Sequence, residues 1–254
     1  MGLLDKLLGH EPDPDNYADV QTMFGRAQVY DVENEDSSIL RILDIDDTWQ
    51  SATYVDERWS ELAFPYHQIF DRALALQDVT EVLMLGGGAL SWPKHVVTHT
   101  DARVNVVEID PQVIDLARTW FLLDKLTDEQ QARLSVHCTD AMAFLEDAAA
   151  QGNRYDLVVN DLFAAEEPLA ALMTAEGTAL LKAILKPGGT YVANVVSALK
   201  GRKKRPLQRV KGALQSNFLQ VEVVSLGADE PRIPDNNVVF ATNGDYALSS
   251  VLGA

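Results

Sequence analysis

The sequence predicts an α/β protein: a doubly wound, seven-stranded sheet preceded by a small antiparallel β-domain. Three observations predict it. First, short apolar runs at 81–85, 104–109, 134–138, 155–159 and 190–196 alternate with stretches of helical period. That alternation builds a mainly parallel sheet covered on both faces. Second, the first run breaks into Gly86-Gly87-Gly88, and the second ends in Glu108-Ile109-Asp110, about 20 residues on, as in a nucleotide-binding βαβ unit. Third, residues 26–56 alternate with period two and carry turn chemistry at Asp46-Asp47-Thr48.

In chain order, residues 1–22 are expected to form a loose tail. MGLLDKLLG is too short and too charged for a secretory signal, and Lys6 stands where N-myristoylation wants Ser or Thr. The acidic segment after it carries Pro12 and Pro14. Residues 23–76 read as the small β-domain and a linking helix, with Gln50 on the last strand. In 57–75 a helical period puts Leu62, Tyr66, Ile69 and Ala73 on one face. Pro65 suits a helix start, so Tyr66 and His67 fall at the helix head, beside the seam between the domains. Residues 77–254 read as the large domain. Pro111 opens a helix by the same logic, 174–185 is helical, and Lys186-Pro187-Gly188-Gly189 stops it. The runs 221–226 and 238–242 look like a closing antiparallel pair.

Composition narrows the function classes. The 254 residues are 47% hydrophobic, enough for one large domain and a small one. A net charge of −17 argues against non-specific binding to nucleic acid or anionic membranes. A single cysteine, Cys138, excludes an intrachain disulfide and fits a cytoplasmic, reducing compartment. Its apolar context predicts a core thiol. Trp49 and Trp59 read as packing residues. No apolar run is long enough to span a bilayer.

The chemistry gathers at strand ends. Glycines let a backbone approach a ligand closely, and a helix start offers unpaired N–H groups. An acid at the tip of the neighbouring strand can accept the hydroxyl protons of a ribose. The first four large-domain strands end in Gly86–Gly88, Glu108, Asp140 and Asp161, where doubly wound sheets bind ligands. Asp161 reads as a general base or as a structural cap. His67 reads as a proton carrier, an acceptor-binding group or a hydrogen-bonded residue of the seam. His95 and His99 have the i, i+4 spacing of metal ligands. No HExxH pattern is present, and an exposed polar helix face accounts for them, so no metal is expected. The basic run Lys200-Gly201-Arg202-Lys203-Lys204-Arg205 reads as a solvated loop. It lacks the interleaved aromatic residues that stack on single-stranded nucleic acid.

Residues 82–88, Val107-Glu108-Ile109-Asp110, Asp140-Ala141, residues 155–161 and Leu185-Lys186-Pro187-Gly188-Gly189 together resemble a class I S-adenosylmethionine-dependent methyltransferase fold. With Gln50 and Tyr66-His67-Gln68 added, the chain resembles spermidine synthase and its relatives. The resemblance implies that Gly86, Gly87 and Gly88 line the methionine-derived part of a sulfonium nucleoside. It implies that Glu108 holds the ribose with Ile109 beside the adenine, and that Asp140 accepts from the adenine amino group with Ala141 adjacent. It further implies that Gln50 approaches the nucleoside, that Tyr66 and His67 line the acceptor pocket, and that Asp161 orients and deprotonates an amine.

Two departures bear on the reaction. Ala89-Leu90-Ser91 follows the glycines where spermidine synthases carry an aspartate and two further glycines, and Ala164 stands where they carry a second aspartate. The family's first aspartate faces the free amine of decarboxylated S-adenosylmethionine, so its loss makes S-adenosylmethionine admissible. The expected function is therefore group transfer, methyl above all, from S-adenosylmethionine to a small-molecule acceptor. Aminopropyl transfer from decarboxylated S-adenosylmethionine is the alternative, and a catalytically inactive nucleoside-binding protein is a second. An NAD-dependent dehydrogenase is a poorer match to the glycine spacing. A homodimer is expected by analogy with the family.

Overall fold

The computed structural model describes residues 17–34, 36–162 and 167–248. Ala164, Glu166 and most of the expected tail lie outside them. The small sheet is antiparallel in the order β1-β2-β3-β4, with β1 Ala18–Thr22, β2 Gly25–Glu33, β3 Ile39–Ile45 and β4 Thr48–Tyr54. Helix α1 (Pro65–Asp71) leads to the large sheet. There β5 (Glu81–Leu85), α2 (Ser91–His99), β6 (Arg103–Glu108), α3 (Pro111–Trp120), α4 (Asp128–Ala132) and β7 (Leu134–Cys138) follow in turn. Next come α5 (Ala141–Gln151), β8 (Tyr155–Asn160), α6 (Glu167–Leu172), α7 (Ala175–Ile184) and β9 (Leu185–Ser197). Helix α8 (Arg205–Gln215) and the strands β10 (Gln220–Ser225) and β11 (Asp235–Thr242) complete the sheet.

The seven strands lie in the order β10-β11-β9-β8-β5-β6-β7. β5 pairs in parallel with both β6 and β8, while β11 is antiparallel to both β9 and β10. The order therefore reverses at β5, and the crevice between the ends of β5 and β8 is the switch point where doubly wound sheets hold ligands. Along β5 successive side chains go to opposite faces. Val82 and Met84 join a core that runs through Phe70 of α1 and Trp92 of α2 to Ile42 of the small sheet. Leu83 and Leu85 face the other layer, with Leu145, Leu181 and Val210. Both faces of β5 are buried, as its unbroken apolar run requires. Among the described residues no helix is long and apolar enough to cross a membrane.

Several sequence expectations change. Ala18–Thr22 is a strand, not tail: its alternation half-buries Ala18 and Val20 against the core. Helix α1 is shorter than the periodic stretch 57–75. Phe64 is held extended (φ −86°, ψ 129°), as the residue before proline prefers, so the helix starts at Pro65. The Lys-Pro-Gly-Gly segment does not separate a helix from a later strand. It is absorbed into β9, with a register shift against β8 between Tyr155 and Leu157. Cys138 is exposed, because β7 is the sheet's edge and the thiol sits at its open end. His95 is buried, because α2 is sandwiched between the two sheets rather than laid on the surface.

Candidate active site

The glycine turn is built by close approach. Gly86 has φ +81°, and a Cβ there would lie 2.6 Å from the backbone oxygen of Asp161. Gly88 has φ +48°, and its Cβ would lie 2.7 Å from Ser51 Oγ and 3.5 Å from the Gln50 carbonyl oxygen. Side chains at either position would push the turn off β8 or off β4. The small sheet also holds the loop by hydrogen bonds. Ala89 N–H donates to Ser51 Oγ (2.8 Å), and Ser91 Oγ donates to the Ala52 carbonyl (2.9 Å). Ala89 is fully buried. The Gln50 amide turns back on its own strand, donating to the Thr48 carbonyl at 3.4 Å.

Glu108 stands at the tip of β6 with its carboxylate turned to the glycine turn. It accepts from Gly87 N–H and from Asp110 N–H, both at 3.1 Å. Burial raises its pKa, and backbone N–H groups, those of Asp110 and Gly87 foremost, pull in the other direction. The Glu108 carbonyl takes the Thr139 N–H (3.2 Å), which draws the corner carrying Asp140 to the β6 tip. Ile109 is half-buried between them, its carbonyl 3.8 Å from Cys138 Sγ. Asp140 is exposed and caps α5 through Ala143 N–H (3.0 Å); Ala141 is buried.

A second cluster forms at the end of β8. Tyr66 O–H donates to Asp161 Oδ2 (3.1 Å), and His67 Nε2 lies 3.4 Å from the same oxygen. Asn194 Nδ2 donates to Asp161 Oδ1 (3.1 Å) and to Asn236 Oδ1 (2.9 Å). Donors from α1 and β9 thus fix a carboxylate carried at the end of β8. Burial, with the Asp161 charge beside it, raises the Tyr66 pKa well above its ordinary value, so the phenol stays protonated and donates. The Asp161 side chain keeps 15% exposure, leaving it open for a further N–H or O–H. Tyr66, His67 and Asp161 are therefore brought together, and the Asp161 backbone meets the glycine turn. Asp140 and Ala141 stand apart at the β7 end.

Sequence reasoning missed three participants. Asn194 is a lone amide within the apolar run of β9, and that mismatch is its signal. Ser51 is a small hydroxyl in a strand with nothing to mark it. Asp110 is fully buried and caps α3 through Gln112 N–H (2.9 Å) while accepting Met23 N–H (2.6 Å) from the turn after β1.

Residues 66–240 match the spermine/spermidine synthase domain. The chain belongs to that family. It is 29% identical over 153 residues to a polyamine aminopropyltransferase of Vibrio vulnificus (strain CMCP6), a match covering 59% of this chain and 50% of that protein. It is 31% identical over 176 residues to the eEF1A lysine and N-terminal methyltransferase of Danio rerio, covering 62% of this chain and 24% of that protein. The chain thus spans half or less of these relatives. The structure of a probable spermidine synthase from Corynebacterium glutamicum ATCC 13032 has the same fold, with a TM-score of 0.74 at 19% identity over 91% of this chain and 82% of that one. The spermine/spermidine synthase segment begins at Tyr66, so it takes in the Asp161 cluster but leaves out the small sheet that holds the glycine turn.

Proposed function

We propose that the protein transfers a methyl group from S-adenosylmethionine to a small acceptor that presents an amine or hydroxyl to Asp161. The residues fit a sulfonium nucleoside. The glycines let the turn pack its backbone against the ends of β8 and β4 at the switch point, and the buried Glu108 carboxylate lies beside it. In this reading Glu108 accepts the ribose hydroxyl protons, Asp140 and Ala141 meet the adenine, and Gly86 and Gly87 lie along the amino-acid arm. When bound, S-adenosylmethionine supplies an electrophilic methyl group.

The chain's own work is alignment and proton removal. Tyr66 and Asn194 hold Asp161 in one rotamer, and the backbone contact with Gly86 fixes its distance from the nucleoside cradle. Asp161 then accepts a proton as the nucleophile's lone pair engages. Methyl transfer asks little else of a protein beyond geometry.

One observation carries the choice of donor. Ala89, buried with its N–H on Ser51, occupies the position after the glycines, so no carboxylate stands there to pair with a free amine. Unpaired ammonium groups are costly to bury, which supports the donor that brings its own carboxylate. Aminopropyl transfer is the second reading, favoured by the aminopropyltransferases among the relatives. Titration calorimetry with both nucleosides separates the two. Tighter binding of S-adenosylmethionine is expected, and clear preference for the decarboxylated form overturns methyl transfer. Mass spectrometry of acceptors incubated with either nucleoside then identifies the group moved. Binding without product from any acceptor would support a nucleoside-binding protein.

A further inference from the structure

Away from the Asp161 cluster, two histidines and two carboxylates from three segments converge at the seam between α1 and α2. His95 and His99 lie one turn apart on α2 with stacked rings, centroids 4.1 Å apart and planes 25° from parallel. His95 Nδ1 lies 2.8 Å from the Ser60 carbonyl oxygen, and His99 Nδ1 lies 2.9 Å from the His95 carbonyl oxygen. A carbonyl only accepts, so both Nδ1 atoms carry hydrogen and donate. Each neutral ring then has its lone pair on Nε2. Metal-ligating histidines are oriented in this way, by an acceptor bonded to the nitrogen that does not face the ion.

Each Nε2 has a carboxylate beside it. Asp71 Oδ1 is 3.3 Å from His95 Nε2, and Glu61 Oε1 is 3.5 Å from His99 Nε2. Asp71 Oδ1 is buried with His95 Nε2 beside it. The spacing is what ligands around one ion require: in a tetrahedral site with bonds of about 2.0–2.1 Å, neighbouring ligand atoms sit roughly 3.3 Å apart. The donor atoms of Glu61, His95 and His99 all lie within 4.8 Å of one another. His95 is buried while the Glu61 and His99 side chains reach the surface, so an ion has an entry path.

We propose that Glu61, His95 and His99 bind a divalent transition-metal ion, zinc by the chemistry of two imidazoles and a carboxylate. The role is structural. The ligands come from the turn after β4 and from α2. An ion there pins the segment that leaves the small sheet to the helix that starts after the glycine turn. The His-x-x-x-His spacing was visible in the sequence, but the carboxylate comes from elsewhere in the chain.

The test uses the full chain, stripped with a chelator and titrated with zinc chloride against a chromophoric competitor, without nucleoside. One equivalent of zinc is expected to bind and to raise the thermal unfolding midpoint. His99→Ala and Glu61→Gln alter surface side chains, and each is expected to weaken zinc binding at least tenfold while leaving the apo-protein's circular dichroism and unfolding midpoint near the wild-type values. Failure of wild type to take up one equivalent overturns the proposal. So does zinc uptake undiminished in a His99→Ala/Glu61→Gln double variant, which would place the ion elsewhere, for example at exposed Cys138. Because binding is read without the nucleoside or turnover, the outcome is independent of the proposed methyl transfer.

Discussion

Lys94 offers the sharpest test of how the two sheets are joined. Only 1% exposed, its ammonium donates to Thr53 Oγ1 of the small sheet (2.7 Å) and to the Phe121 carbonyl after α3 (3.0 Å), and it lies 5.5 Å from the centre of the Trp59 ring. Burial, with the Lys125 charge adding to it, pushes its pKa down from 10.5 to about 7. Between those values the unfolded chain holds the proton and the folded one does not. Stability from this group therefore rises with pH across that window and is lowest below about pH 7. Each tenfold loss of proton affinity is worth about 1.4 kcal/mol, so the full penalty is on the order of 5 kcal/mol. Lys94→Met keeps most of the side-chain volume and removes the titration. Urea unfolding of both proteins between about pH 7 and about pH 9 should show the wild type gaining roughly 2 kcal/mol on the variant. A gap that stays constant across this range would refute the idea that Lys94 is buried at the cost of its charge.

Three further predictions concern the site and its support. Asp161→Asn should cut turnover by about 100-fold or more while S-adenosylmethionine affinity in calorimetry stays within a few-fold of wild type; matching losses in both would make Asp161 structural. Glu108→Gln should weaken nucleoside binding, and wild-type affinity should fall on acidification at a pH above the ordinary carboxylate range, because burial raises the Glu108 pKa and the protonated acid no longer accepts freely. Asp156 accepts from Thr80 N–H and Oγ1, Glu81 N–H and Lys186 Nζ; Asp156→Ala should destabilise the fold by about 2–4 kcal/mol in denaturant titration. Burial alone would raise its pKa, but the Lys186, Thr80 and Glu81 bonds outweigh burial and hold it below the ordinary aspartate value. The part of stability due to Asp156 should accordingly be present above the ordinary aspartate pKa and be lost as pH falls through the folded value.

Periodicity made the large sheet legible. β5 to β9 are apolar runs punctuated by glycine, proline and acids, and the strand-end positions of Gly86, Glu108, Asp140 and Asp161 follow from that pattern. Features set by tertiary placement were not legible. Lys94 and His95 look like the polar face of an exposed helix until the small sheet closes over α2. Cys138 looks like core until β7 proves to be an edge. Asn194 could have been suspected from its chemistry, since an amide inside a buried strand must bond to something. Ser51 could not, nor could the bond from Met23 to Asp110, because these partners lie far off in the chain and are backbone N–H groups, which carry no residue signature.

The bonds from Ser51, Ala52, Thr53 and Met23 to Ala89, Ser91, Lys94 and Asp110 have a practical consequence for anyone who trims this chain. Excising everything before the matched segment would remove one bond each from a lysine and an aspartate and the Ser51 acceptor of a loop amide at one stroke. The large domain is therefore expected not to fold alone, and a truncated version beginning at Tyr66 should be recovered as aggregate rather than as a smaller folded unit.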